Sequence, residues 1–142
     1  MAVIAIIAQG AMGAGIGRRL ARNGATVLTS LAGRSAVPAR VTVALNARPP
    51  DATASAIYFT AAELLTNVAK HAGAARATIE LHDHEDNLEL VVRDDGRGGA
   101  RLDSTGTGLA GLTRRAEALD GTVTVQSPPG GPTAVTVTFG RG

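Results

Sequence analysis

The stretch that most constrains this chain is Ala56 to Ala72, AIYFTAAELLTNVAKHA, because its two faces carry different kinds of residue. On a 3.6-residue period Ile57, Ala61, Leu64, Leu65 and Val68 fall within one arc, while Glu63, Asn67, Lys70 and His71 gather on the opposite side. The spacing predicts a packed helix that presents a carboxylate, an amide and an ammonium in one row. Lys70 is also the only lysine among fourteen basic residues, all the others being arginine. A compact point charge in a chain that otherwise uses arginine suits a phosphate.

Length and composition narrow the function class. The 142 residues suffice for one ordinary domain and not for two full ones. With no cysteine, disulfide frameworks and thiolate metal sites are excluded. No apolar run approaches the roughly 20 residues of a membrane span, and glycines interrupt the apolar N-terminus where a signal peptide would be unbroken. A cytoplasmic protein is expected. Three aromatic residues and a formal charge of +2 leave little for base stacking or a basic footprint, so nucleic acid is not an expected partner.

From Val37 onward the chain reads as a series of short elements. A strand at Arg40 to Leu45 is followed by Arg48-Pro49-Pro50, an N-cap at Asp51 and the central helix, which stops at Gly73. Ala77 to His82 and Asn87 to Arg93 form a hairpin, with His82 and His84 near its turn and no further ligand spaced to make them a metal site. A helix from Leu109 to Leu119 and a last hairpin, Gly121 to Ser127 with Thr133 to Phe139, complete the order β, α, β, β, α, β, β. That order predicts an α+β two-layer sandwich, a mixed sheet with helices on one face.

Two glycine-rich loops lie between these elements. Asp94-Asp95-Gly96-Arg97-Gly98-Gly99 follows a strand, so that a carboxylate stands where Gly96 and Gly98 let backbone approach a ligand closely. Gly106-Thr107-Gly108-Leu109-Ala110-Gly111-Leu112 opens a helix and offers free N–H groups to a phosphate. Asp95, Arg97, Arg114 and Arg115 read as solvated or lid-anchoring charges around a compact lid between Gly99 and Gly106.

ELLTNVAKHAGA resembles the N box of the GHKL ATPase and kinase superfamily, specifically of sensor histidine kinases of the nitrate and desaturase sensor type. The two loops resemble its first and second glycine boxes, in order, over about residues 37 to 139. The resemblance implies a Bergerat-type ATP-binding fold. It implies Asn67 as the magnesium ligand, Glu63 as acid/base or polarising carboxylate, Lys70 as the phosphate neutraliser and His71 beside it. It further implies Asp94 on the adenine amino group, supported by Thr133, which here follows Pro132, with Gly96, Gly98, Gly106, Thr107, Gly108 and Leu109 lining the nucleotide. Such domains transfer the ATP γ-phosphoryl to a histidine on a separate dimerisation domain, from which it passes to a response regulator. No such helix pair stands in this sequence, so autophosphorylation by the chain alone is not expected. A switch-type or anti-sigma serine kinase of the same superfamily is the alternative.

Residues 1 to 36 differ in character, with Arg18, Arg19, Arg22 and Arg34 and no acid. An apolar strand at Ala2 to Ile7, glycines 10, 13, 15 and 17, a helix ending near Asn23-Gly24 and a strand at Ala25 to Thr29 read as β-α-β. IIAQGAMGAGIGRRLARNGATVLTS resembles the NAD(P)-binding start of the 6-phosphogluconate and 3-hydroxyisobutyrate dehydrogenase family. Ala8 replaces the first glycine of that fingerprint, Gly10 and Gly13 supply the others, and Arg34 is the nearest candidate for a ribose phosphate. The resemblance stops after Gly33. The expectation is an incomplete Rossmann-like fragment, residues 1 to 36, preceding an ATP-binding domain, residues 37 to 142, with a remnant NAD(P)-binding dehydrogenase fragment fused to an inactive domain as a further alternative.

Overall fold

The structure, a computed structural model, describes residues 3–5, 28, 31–47, 49–100 and 109–140. Among these, six strands form one mixed sheet in the order β1-β2-β3-β4-β6-β5: β1 Val3–Ala5, β2 Ala39–Leu45, β3 Ala77–Asp83, β4 Asn87–Asp94, β5 Val123–Gln126 and β6 Thr133–Gly140. Only the β2–β3 pair is parallel; the others are antiparallel. Helix α1, Asp51–Asn67, continued by a π-helical turn at Val68–Ala72, makes the crossover that a parallel pair requires. Helix α2, Leu109–Glu117, lies between β4 and β5. The predicted two-layer order from Val37 onward is what the chain forms.

Alternation along the strands decides which face the helices cover. Val41 and Val43, Ile79 and Leu81, Leu88, Leu90 and Val92, and Val135, Val137 and Phe139 all point inward, each at most 5% exposed. Against them α1 lays Ile57, Ala61, Leu64, Leu65 and Val68, the arc expected from its period, and α2 adds Leu109, Leu112 and Ala116. Burial of each Leu or Ile contributes roughly 1.5–3 kcal/mol, which is what holds the helix layer down. The other face is polar: Arg93 and His82 both reach the Glu80 carboxylate, and His84 reaches Glu89.

Two expectations need correction. Asp51 is the first residue of α1, with Pro50 in the capping position and no side-chain cap, so its carboxylate acts on the helix dipole and not as an N-cap. The Rossmann-like reading of residues 1 to 36 also fails on the described residues. β1 runs antiparallel to β2 in the same sheet, and Leu28, placed in a strand by the sequence reading, is helical, as are residues 31–33. Leu28 and Ala32 are buried in the common core, a four-residue spacing that belongs to a helix. The apolar run Ala25 to Thr29 was too short for period alone to separate strand from helix. The glycines from Gly10 to Gly17 lie outside the described residues.

Candidate functional site

At one end of the sandwich β4 finishes, β6 begins and the π-helical turn of α1 passes overhead. The space between them is a cavity of about 240 Å³. Leu64, Val68, Val92, Leu109 and Val135 give it apolar walls; Asn67, His71, Asp94, Arg97 and Thr133 supply the polar side chains. Such a combination, apolar walls with few convergent polar groups, is the usual form of a small-molecule site.

Asp94 and Thr133 are brought together by sheet register, since they are directly paired across β4 and β6. Both are inward-facing and nearly buried, at 7% and 8% exposure. The Gly96 N–H donates to Asp94 Oδ1 at 2.8 Å. Burial pushes the Asp94 carboxyl above the usual carboxylate range; the Gly96 bond opposes this and the neighbouring Asp95 charge adds to it. A carboxylate so placed gains from any ligand donor that replaces the water it has lost.

The loop after Asp94 is stitched to the end of the helix. Asp95 Oδ1 accepts from Ala75 N at 2.8 Å and Arg76 N at 3.0 Å, Arg97 N donates to Ala72 O at 2.9 Å, and Arg97 Nε donates to His71 O at 2.9 Å. The Arg97 bonds satisfy carbonyls at the helix end, and the Asp95 bonds satisfy amides just beyond it, which fixes the loop that follows Asp94. They also explain two glycines. A Cβ on Gly96 would stand 2.3 Å from Ala72 O, and Gly98, at φ +69°, would drive one to 1.9 Å from Pro128 O. Asp95 and Arg97, read as solvated charges, are therefore the fasteners of the loop.

The row expected on α1 is split. Asn67 and His71 line the cavity, but Lys70 lines a second cavity of about 380 Å³ with Leu31, Arg34, Ala62 and Leu65. The reason is the π-helical turn: in i→i+5 geometry each residue rotates through less than the α-helical 100° or so, which keeps His71 near the Asn67 line and carries Lys70 away from it. Glu63 does not line the first cavity either. Its Oε1 accepts from Arg115 Nη2 at 3.0 Å, so that Arg115 ties α2 to α1 instead of standing free. Arg34, the candidate for a ribose phosphate, donates to the Tyr58 hydroxyl at 3.2 Å. Gly106, Thr107 and Gly108 lie outside the described residues, whereas Leu109, the first residue of α2, forms part of the cavity wall.

One residue at this site escaped the sequence reading. Ser127, just after β5, places its Oγ 2.6 Å from Thr133 Oγ1 and accepts there from Ala100 N at 2.9 Å. A serine at a strand end before Pro128-Pro129-Gly130-Gly131 carries no signal beyond a turn.

Residues 52–141 match the family model described as histidine kinase-, DNA gyrase B-, and HSP90-like ATPase. The chain is 33% identical over 75 residues to the sensor histidine kinase YvfT of Bacillus subtilis, a match covering 53% of this chain and 20% of that protein. It is 38% identical over 71 residues to the histidine-protein kinase/phosphatase UhpB of Salmonella typhimurium, covering 48% and 14%. The chain thus spans about a fifth or less of the curated relatives it matches. Among solved structures, the Erythrobacter litoralis EL346 blue-light activated histidine kinase superposes with a TM-score of 0.68 at 22% identity, over 80% of this chain and 40% of that one. Its histidine kinase domain does so at 0.64 and 24%, over 92% and 65%. The two structures speak to the fold: a mixed sheet under helices, as in histidine kinase ATPase domains. The chain belongs to the histidine kinase-, DNA gyrase B- and HSP90-like ATPase family, and the curated relatives it matches are sensor histidine kinases. No described helix is long and apolar enough to cross a membrane.

Proposed function

We propose that residues 37 to 142 form a catalytic domain that holds ATP with its adenine amino group on Asp94 and its phosphates toward Asn67 and His71. The γ-phosphoryl then passes to a histidine on a separate dimerisation domain, and from there to a response regulator. The observation that carries this reading is the pairing of Asp94 with Thr133 at the buried end of a cavity whose opposite wall holds Asn67. In the transfer, an imidazole nitrogen bonds to the γ-phosphorus as the bond to the β–γ bridging oxygen breaks, ADP leaves, and the imidazole gives up its ring proton. The protein's part is to position these groups and neutralise charge.

Asn67 fits a magnesium ion shared with phosphates: its amide oxygen is a hard donor in the cavity wall, and magnesium usually needs only one or two protein ligands beside phosphate and water. Bound there, the ion would offset negative charge on the phosphates. Lys70, on its long stem, reaches the phosphates from outside the cavity. Glu63 enters the chemistry as a polarising carboxylate by exchanging Arg115 for the incoming imidazole.

Calorimetric titration of the chain with a non-hydrolysable ATP analogue and magnesium tests the reading. Saturable binding, weakened by Asp94→Asn and by Asn67→Ala, is expected; absence of binding by the folded chain overturns it. Addition of a histidine-bearing dimerisation domain is expected to yield acid-labile phosphohistidine, and transfer to a serine substrate instead would place the chain among the switch-type kinases.

A further inference from the structure

Thr133 can serve a base-reading site only if its hydroxyl is held in one polarity. A hydroxyl donates one proton and accepts through two lone pairs, and rotates to suit its neighbours. Asp94, ionised, only accepts, so it favours an amino group; where adenine has its 6-amino group and the neighbouring acceptor nitrogen, guanine has an oxygen and an N–H. Reading adenine therefore needs Thr133 to donate.

Ser127 is placed to impose this. The Ala100 N–H occupies one lone pair of Ser127 Oγ, and 2.6 Å away lies Thr133 Oγ1. Either hydroxyl can donate in this pair; the arrangement that serves adenine has Ser127 Oγ, already accepting from Ala100, donating to Thr133 Oγ1, whose own proton is then turned toward the cavity. Ser127 also accepts through its carbonyl from Gly99 N at 2.9 Å, so consecutive amides of the glycine-rich loop are pinned to one residue. Ser127 does not itself line the cavity.

We propose that Ser127 is the positioning residue that fixes the Thr133 hydroxyl as a donor, and so sets the preference of the site for adenine over guanine. This rests on the assignment of Asp94 and Thr133 to the base. It adds that discrimination depends on a side chain outside the cavity.

The test compares binding of non-hydrolysable ATP and GTP analogues to the chain and to its Ser127→Ala, Ser127→Thr and Asp94→Asn variants, with amide hydrogen exchange at Gly99 and Ala100. Loss of one neutral hydrogen bond should narrow the ATP-over-GTP preference of Ser127→Ala roughly five- to tenfold. Ser127→Thr, which keeps the hydroxyl, should retain the preference. Exchange at Ala100 should speed up in Ser127→Ala while Gly99, bonded to the carbonyl, keeps its protection. Equal weakening of both nucleotides in Ser127→Ala would make the residue a structural support and overturn the proposal. If Asp94→Asn loses ATP but Ser127→Ala keeps the wild-type ratio, this inference alone falls. If the wild-type chain binds neither nucleotide, or Asp94→Asn binds ATP unchanged, the base assignment falls and takes the inference with it.

Discussion

The two ends of the cavity are built on opposite principles. At the Asp94 end the groups are buried, come from adjacent strands in fixed register, and are held by the Gly96 amide on Asp94 and the Ser127 hydroxyl on Thr133. At the Asn67 end the residues sit on the last turns of a helix whose geometry has widened, Lys70 and His71 are exposed, and Glu63 is engaged elsewhere. On the proposed assignment, the difference follows the ligand each end would serve. A flat base is recognised by a few directed bonds in a site that must already have its shape, since unpaired buried polar groups cost about 1–3 kcal/mol each. A triphosphate is held mainly by charge, and long exposed side chains supply charge without prior order.

The largest effect is therefore expected where the preformed end loses its charge. Asp94→Asn keeps an acceptor for Gly96 N but gives up the charge-assisted bond to the base, and affinity for the ATP analogue should fall about 10- to 100-fold with the folded state retained. Acid should reproduce part of this loss. The folded pKa of Asp94 is raised, so ATP binding weakens as pH falls through that raised value, while the cost of keeping the carboxylate ionised makes the free protein less stable as pH rises from about 3.8 through the same window. Titration at several pH values, beside thermal unfolding of the free chain, checks both signs. Binding that is flat across that range would place base recognition elsewhere.

Next in size is a test of whether the base end is rigid. Gly96→Ala forces a methyl group to within 2.3 Å of Ala72 O, a backbone atom tied to Arg97 N, and should cost about 1–3 kcal/mol in unfolding. Gly111→Ala in α2, where a Cβ meets nothing within 4 Å, should be neutral or stabilising by up to ~1 kcal/mol. Equal effects of the two substitutions on thermal unfolding would mean that the base end is no more tightly packed than the open side of α2.

Legibility in the sequence divides along the same line. A strand end and the glycine-rich turn placed Asp94, Gly96 and Gly98, because turn chemistry is a local property, whereas Thr133 was joined to Asp94 only by the family resemblance. The arc of Ile57, Ala61, Leu64, Leu65 and Val68 was legible because helical period is local too. Lys70 was misplaced because nothing in VAKHA marks an i→i+5 turn, and three residues of altered rotation are enough to move a side chain to another face. Arg115 and Glu63 lie 52 residues apart, and no period connects them. Leu28 shows the limit at the N-terminal side, where a short apolar run fitted two geometries and the core chose the helix.

At the exposed end, a smaller effect is expected from Lys70→Ala. The side chain is exposed and screened by solvent, so affinity for the ATP analogue should drop about two- to fivefold, with a loss that shrinks as salt is raised. A loss as large as that of Asp94→Asn would mean that Lys70 is already ordered on the phosphates.

The smallest effect concerns the fastener between the ends. Asp95 accepts from Arg76 N and Ala75 N, and these bonds, the Arg76 amide first, hold its carboxyl below the usual range against the opposing effect of desolvation. A folded pKa below the unfolded one contributes stability that is present above about 3.8 and lost as pH falls through the lowered value. Asp95→Asn keeps the acceptor and removes only the charge. Its unfolding temperature should lie slightly below wild type at neutral pH, with the gap closing in acid. Because the bonds it tightens run from the glycine loop to the segment just beyond the helix end, the variant should also bind the ATP analogue a little more weakly at neutral pH, in step with that gap. A stability gap that closes with acid while binding stays unchanged would show that the two ends of the cavity are held independently of this link.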